Sequence, residues 1–163
     1  MAFDRHTIFG GVLVAVILIA CIAGLMVTGG PGDARHQKED RARLQAVSEA
    51  ALALACYQQA NGPIPEDLSQ VEAELSRATS PARRRKGCTQ ALLAKDPVTG
   101  EAFRLTRQGD QVTQICADFA AASREEQPYA YYGNSRSVIP DLGEIRSAPG
   151  EHCFDVNLHA DLD

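Results

Sequence analysis

Residues 8–27 contain no charged side chain. A helix of that length spans about 30 Å, the thickness of a bilayer's hydrocarbon core. The run predicts a transmembrane helix over residues 8–28, after a short flank at residues 1–7. Because so little precedes it, nearly the whole chain is expected on one side of the membrane. A retained span has two rivals. The apolar core of a cleaved signal peptide is shorter, about 7–15 residues. Leu18-Ile19-Ala20-Cys21 is similar to the lipobox of bacterial lipoproteins, which gives the alternative of a lipoprotein anchored through Cys21. The apolar run continues past that cysteine to Val27, and this favours a retained span. Gly11 with Ala15 and Ala20 with Gly24 are spaced for helix packing, a spacing that chance also supplies in so small-residue-rich a run.

Gly29-Gly30-Pro31-Gly32 breaks the helix, so residues 29–35 read as a linker and residues 36–163 as a soluble domain. The chain carries a net charge of −5, a poor electrostatic fit to nucleic acid. Cys21 lies in the anchor. Cys56, Cys88, Cys116 and Cys153 lie in the domain with no C-x-x-C spacing, as expected of two disulfides in an oxidising compartment. Membrane orientation draws conflicting signals. Arg35, Lys38, Arg41 and Arg43 follow the span closely, and the positive-inside rule taken literally puts the domain in the cytoplasm. The cysteines put it outside, and large C-terminal domains translocate largely regardless of charge. The domain is expected outside the cytoplasmic membrane, in the periplasm.

A second helix is expected from about Asp33 to Ala60. Leu44, Val47, Ala51 and Leu54 recur at spacings of three and four, widened by Ala50, Cys56 and Tyr57. Its first turns are charged on all sides and read as solvated. Asn61-Gly62-Pro63 stops it. A shorter helix opens at Ile64-Pro65-Glu66-Asp67-Leu68, with Leu68, Val71 and Leu75 as its apolar edge, and ends at Thr79-Ser80-Pro81. Arg83, Arg84, Arg85 and Lys86 then form a basic run in an acidic domain. It reads as a solvated loop, or as a contact for anionic lipid or an acidic partner.

Asp96-Pro97-Val98-Thr99-Gly100 is a turn, and a lone carboxylate there makes a poor calcium site. Residues 102–107 alternate as a strand, Gln108-Gly109-Asp110 turns, and residues 111–119 form its partner, with Ile115, Ala117 and Phe119 inward. Tyr129, Tyr131 and Tyr132 sit in a long connection. They read as packing onto the sheet or as a recognition patch. Residues 152–158 alternate as a last strand before a polar tail. The fold class is α+β: an N-terminal transmembrane helix, then a long amphipathic helix packed on a small antiparallel sheet.

Four cysteines permit three pairings. Chain order favours Cys56 with Cys88, pinning the loop after the shorter helix, and Cys116 with Cys153, provided their strands are neighbours. Each bridge would contribute about 3–4 kcal/mol in the chain-entropy model.

This order of elements resembles the pilins and pseudopilins of bacterial envelopes. The matching residues are Tyr-Gln-Gln-Ala-Asn-Gly-Pro-Ile-Pro-Glu-Asp-Leu at 57–68, Asp96-Pro97-x-Thr99-Gly100 before Phe103, Ile115-Cys116-Ala117-x-Phe119, and Cys153-Phe154. The resemblance implies a helix on an antiparallel sheet and also places Cys116 beside Cys153. The chain looks most like a branch that lacks the prepilin cleavage motif. Gly10 is followed by Gly11, and the fifth residue after Gly10 is Ala15 where a pilin has glutamate.

No Gly-x-Ser-x-Gly, His-Glu-x-x-His or phosphate-binding glycine loop is present in the sequence. His152 and Cys153 point to opposite faces of a strand. His159, Asp161 and Asp163 lie in a tail expected to be solvated. The expectation is a non-catalytic, single-pass, membrane-anchored periplasmic protein that binds another protein. It has no cofactor, metal, small-molecule substrate or nucleic-acid partner, and is an accessory subunit of an inner-membrane complex. The alternative is a pseudopilin-like component of a secretion or type IV pilus-like system.

Overall fold

The computed structural model describes residues 5–28, 30–123 and 137–162 and, within the first helix, the side chains of residues 10–24. The chain divides into two units, Met1–His36 and Gln37–Asp163. The first contains α1, Arg5–Thr28. Its large apolar side chains from Val12 to Ile22 are 53–66% exposed. Among the described residues, no helix is long and apolar enough to cross a membrane. The expected transmembrane helix therefore stands in the structure only as a helix.

The predicted linker over 29–35 is shorter than expected. Helix α2 runs over Pro31–Asn61 and opens on a proline, whose missing N–H costs nothing in a first turn. The Gly30 carbonyl accepts from the Asp33 and Ala34 N–H groups at 3.0 and 3.3 Å. Between residues 43 and 56 only Gln45 and Glu49 are exposed, a burial far wider than a single stripe. Ala46, Ala50, Ala51, Ala53 and Ala55 permit it, because small side chains let neighbouring segments approach from several sides.

The shorter helix, α3, is Leu68–Ser76 and starts later than the proline signal suggests. Asp67 decides the start. Its carboxylate accepts the Ser69 N–H at 2.9 Å and the Ser69 hydroxyl at 2.8 Å, the geometry of an N-cap. The Ser69 hydroxyl, and after it the Ser69 N–H, holds the Asp67 carboxyl below its ordinary pKa. Val71 and Leu75 are buried.

The antiparallel sheet has the order β1-β2-β3. Strand β1 is Arg104–Gln108, later than the predicted 102–107, and β2 is Gln111–Phe119 as predicted. Gly109 takes φ +63 as the first residue of the two-residue connection, where a type II′ hairpin requires glycine. Strand β3, Gly150–Asp155, lies earlier than the predicted 152–158. The ladder ends there because the Asn157 N–H turns to the Val138 carbonyl, at 2.8 Å. Val138, Ile139 and Leu142 enter the core, which joins Leu44, Val47 and Leu54 of α2 to Ile115, Phe119 and Phe154 of the sheet. The α+β class and the helix-and-sheet core are as expected.

The C-terminal tail is docked, contrary to expectation. Leu158, Ala160 and Leu162 are buried. The Gln59 amide donates to the carbonyls of Leu158 at 3.2 Å and Ala160 at 2.9 Å. Alternate apolar residues in the tail give it an inner edge.

Candidate interaction surface

Cys56 is bonded to Cys88, with α-carbons 5.9 Å apart, and Cys116 to Cys153. These are the pairs that chain order favours. Cys116 and Cys153 stand directly opposite each other on β2 and β3. Glu151 lies near both sulfurs, and the three residues have ligand atoms within 4.8 Å of one another. The sulfurs bond each other and so offer no thiolate, and Glu151 pairs with Arg104. Cys21 is a free, exposed thiol.

The Cys56–Cys88 bridge holds the basic run against the C-terminal end of α2. A short 3-10 turn, Ala82–Arg84, carries the run's first two residues, with Ala82 and Cys88 fully buried. Arg84, Arg85 and Lys86 are exposed and Arg83 is half-buried. Two of the guanidiniums are fixed by main-chain oxygens. Arg83 donates Nε and Nη2 to the Thr89 carbonyl at 3.1 and 2.9 Å. Arg85 donates Nη1 to the Gln59 carbonyl at 3.1 Å. That carbonyl belongs to the last turn of α2, where carbonyls lack helical partners and the dipole is negative. Among the described residues, no carboxylate pairs with Arg83, Arg84 or Arg85. By contrast, Arg77 pairs with Glu74, Lys95 with Glu72, and Arg104 with Glu151. At Arg83 and Arg85 the loop thus combines backbone anchoring with positive charge that no carboxylate among the described residues pairs.

Charged groups that read as solvated are buried instead. Asp40 and Arg43 of α2 are both more than nine-tenths covered. Arg43 donates Nε to Asp96 and Nη1 to Asp40, each at 3.0 Å. Asp40 also accepts the N–H groups of Ala120 and Ala121 at 3.0 and 2.9 Å. Asp96 accepts those of Val98 at 2.7 Å and Thr99 at 3.2 Å. The cluster ties α2 to the Asp96 turn and to the end of β2. The Asp96 turn was visible in the sequence. Its second oxygen faces an arginine 53 positions away, and no local pattern announces that.

The other singled-out residues have structural surroundings. His152 meets Phe154 edge to face at 4.7 Å between ring centroids. The His159 Nε2 lies 2.9 Å from the Gln58 amide nitrogen. Arg146 stacks over Phe119 at 3.9 Å, a contact the sequence reading missed. Tyr129, Tyr131 and Tyr132 lie outside the described residues. An apolar cleft lined by Leu54, Leu68, Phe103, Leu105 and Ile115 encloses about 10 Å³. That is room for about one water at most, against the several hundred Å³ of a ligand pocket.

Comparison with protein-family models, curated proteins and solved structures finds no match. These comparisons neither support nor contradict the pilin-like resemblance.

Proposed function

We propose that the chain is a non-catalytic, membrane-anchored interaction protein, with α1 as a single span and the C-terminal unit in the periplasm. The observation that carries the reading is the surface of α1. Bulky apolar side chains from Val12 to Ile22 are more than half exposed, within a sequence run, residues 8–27, that carries no charge. Such a surface needs an apolar surrounding, and a bilayer supplies one. Two disulfides in the C-terminal unit support an oxidising compartment. Asp40 and Asp96 hold Arg43, and His152 packs on Phe154, so these side chains have structural partners within the unit. Alkaline carbonate washing of membranes from the native host tests the anchor. The chain should stay in the pellet, and protease added outside the cytoplasmic membrane should digest the C-terminal unit. Release into the wash overturns the anchor. Co-purification in mild detergent should retain a partner, and a strictly solitary monomer counts against the binding role.

The pseudopilin-like reading is favoured by one observation, the joining of α2 to an antiparallel sheet whose last strand carries a cross-strand disulfide. An N-terminus beginning at Gly11 supports it, and an intact Met1 or Ala2 N-terminus counts against it.

A further inference from the structure

The basic loop at residues 83–86 narrows the kind of partner. We infer that Arg83, Arg84 and Arg85 form a docking point for an acidic segment of another protein, an inference that rests on the interaction role proposed above and gives it a chemistry.

Three observations converge. The charge is uncompensated: among the described residues no carboxylate pairs with these three arginines, in a chain whose net charge is −5. The guanidiniums are also held in place before any partner arrives. Arg83 spends Nε and Nη2 on Thr89, and Arg85 spends Nη1 on Gln59, so each keeps donors for another acceptor. Fixed forks lose less side-chain entropy when a carboxylate binds them. Between them, Arg84 is exposed and makes no described hydrogen bond.

The third observation is position, and it separates an acidic protein from an anionic lipid surface. The C-terminal unit begins at Gln37. Arg85 is fixed to Gln59, about 33 Å along α2 from that residue. Attraction to headgroups is screened within about 8 Å at physiological salt. A loop held that far along a helix meets lipid only if the helix lies on the surface, whereas a protein partner reaches it in any orientation.

The test uses the full chain in nanodiscs of uncharged lipid and a fluorescein-labelled, glutamate-rich peptide as probe. Anisotropy should report saturable binding that weakens as salt rises. Arg84→Glu should weaken it by about tenfold or more with no change in melting temperature, and Arg84→Lys should retain most of it. No binding of the peptide, or binding that Arg84→Glu leaves unchanged, overturns the inference. So does Arg84-dependent binding to vesicles containing phosphatidylglycerol that the peptide does not compete away. These outcomes are distinct from failure of the wider reading. A carbonate-resistant chain that keeps its co-purifying partner after Arg84→Glu retains the interaction role and loses only this docking point.

Discussion

Helices α1 and α2 use the same aliphatic vocabulary to opposite ends. In α1, over Arg5–Thr28, the bulky side chains from Val12 to Ile22 are exposed. In α2, over Pro31–Asn61, Leu44, Val47 and Leu54 are at most 1% exposed. The difference lies in what else the sequence supplies. Around α2 it places small alanines, two disulfide cysteines' worth of cross-linking, a sheet and a docked tail, all within the same unit. For α1 it supplies an uncharged run, residues 8–27, whose described bulky side chains stay exposed. The comparison teaches that hydrophobicity alone does not define a core. A core needs partners of matching shape.

The largest expected effect comes from charging each helix in turn. Leu54→Asp should abolish cooperative melting of the C-terminal unit, since an unpaired buried charge costs several kcal/mol, on the order of the whole stability. Leu18→Asp in α1 should leave that transition in place and instead reduce carbonate-resistant membrane retention. A cooperative transition in the Leu54→Asp variant would erase the contrast between the two helices.

The disulfides sharpen the contrast next. Their separations, 32 and 37 residues, differ too little for loop entropy to rank them, and each double serine variant should lose about 4 kcal/mol in denaturant titration. A near-zero loss for the Cys56/Cys88 variant would mean that packing alone holds the basic loop on α2.

Arg43→Ala follows, at about 3 kcal/mol, because it strands Asp40 and Asp96 in a covered site. Double-mutant cycles with Asp96→Asn should show strong coupling, since the two side chains are hydrogen-bonded.

The smallest effect is at Asp67. Its folded pKa is lowered, so its stabilising contribution is present above the unfolded carboxyl pKa and is lost as pH falls through the folded one. Thermal melts of Asp67→Ala should therefore sit slightly below the parent at neutral pH. The gap should close as the pH drops below about 4.

Legibility followed sequence distance. Strand β2 and its hairpin turn were readable because alternation and Gly109 act locally. The apolar stripe of α2 and the disulfide pairing were readable because periodicity and chain order are simple signals. The burial of Asp40 and Arg43 was not, because Asp40's N–H donors lie 80 and 81 positions away and Arg43's second partner 53 away. The start of α3 misled because Pro65 looks like a first-turn proline, whereas the Asp67 side chain caps the helix two residues later. At the basic loop, sequence revealed the charge but not the anchoring, since Arg85 meets a main-chain carbonyl 26 positions upstream.

The C-terminal end of α2 also has a mechanical meaning. Cys56 bonds Cys88 covalently, the Gln59 carbonyl receives Arg85, and the Gln59 side chain holds the tail. A pull applied at Arg84 travels along the chain to Cys88, crosses the sulfur bridge and enters the helix at Cys56. From there the load runs along the helix axis toward Gln37, through hydrogen bonds aligned with the force. The sheet lies outside that route. Tension between Arg84 and the start of the unit is thus borne by a helix and a covalent bond, and the strands need not part for it to be transmitted.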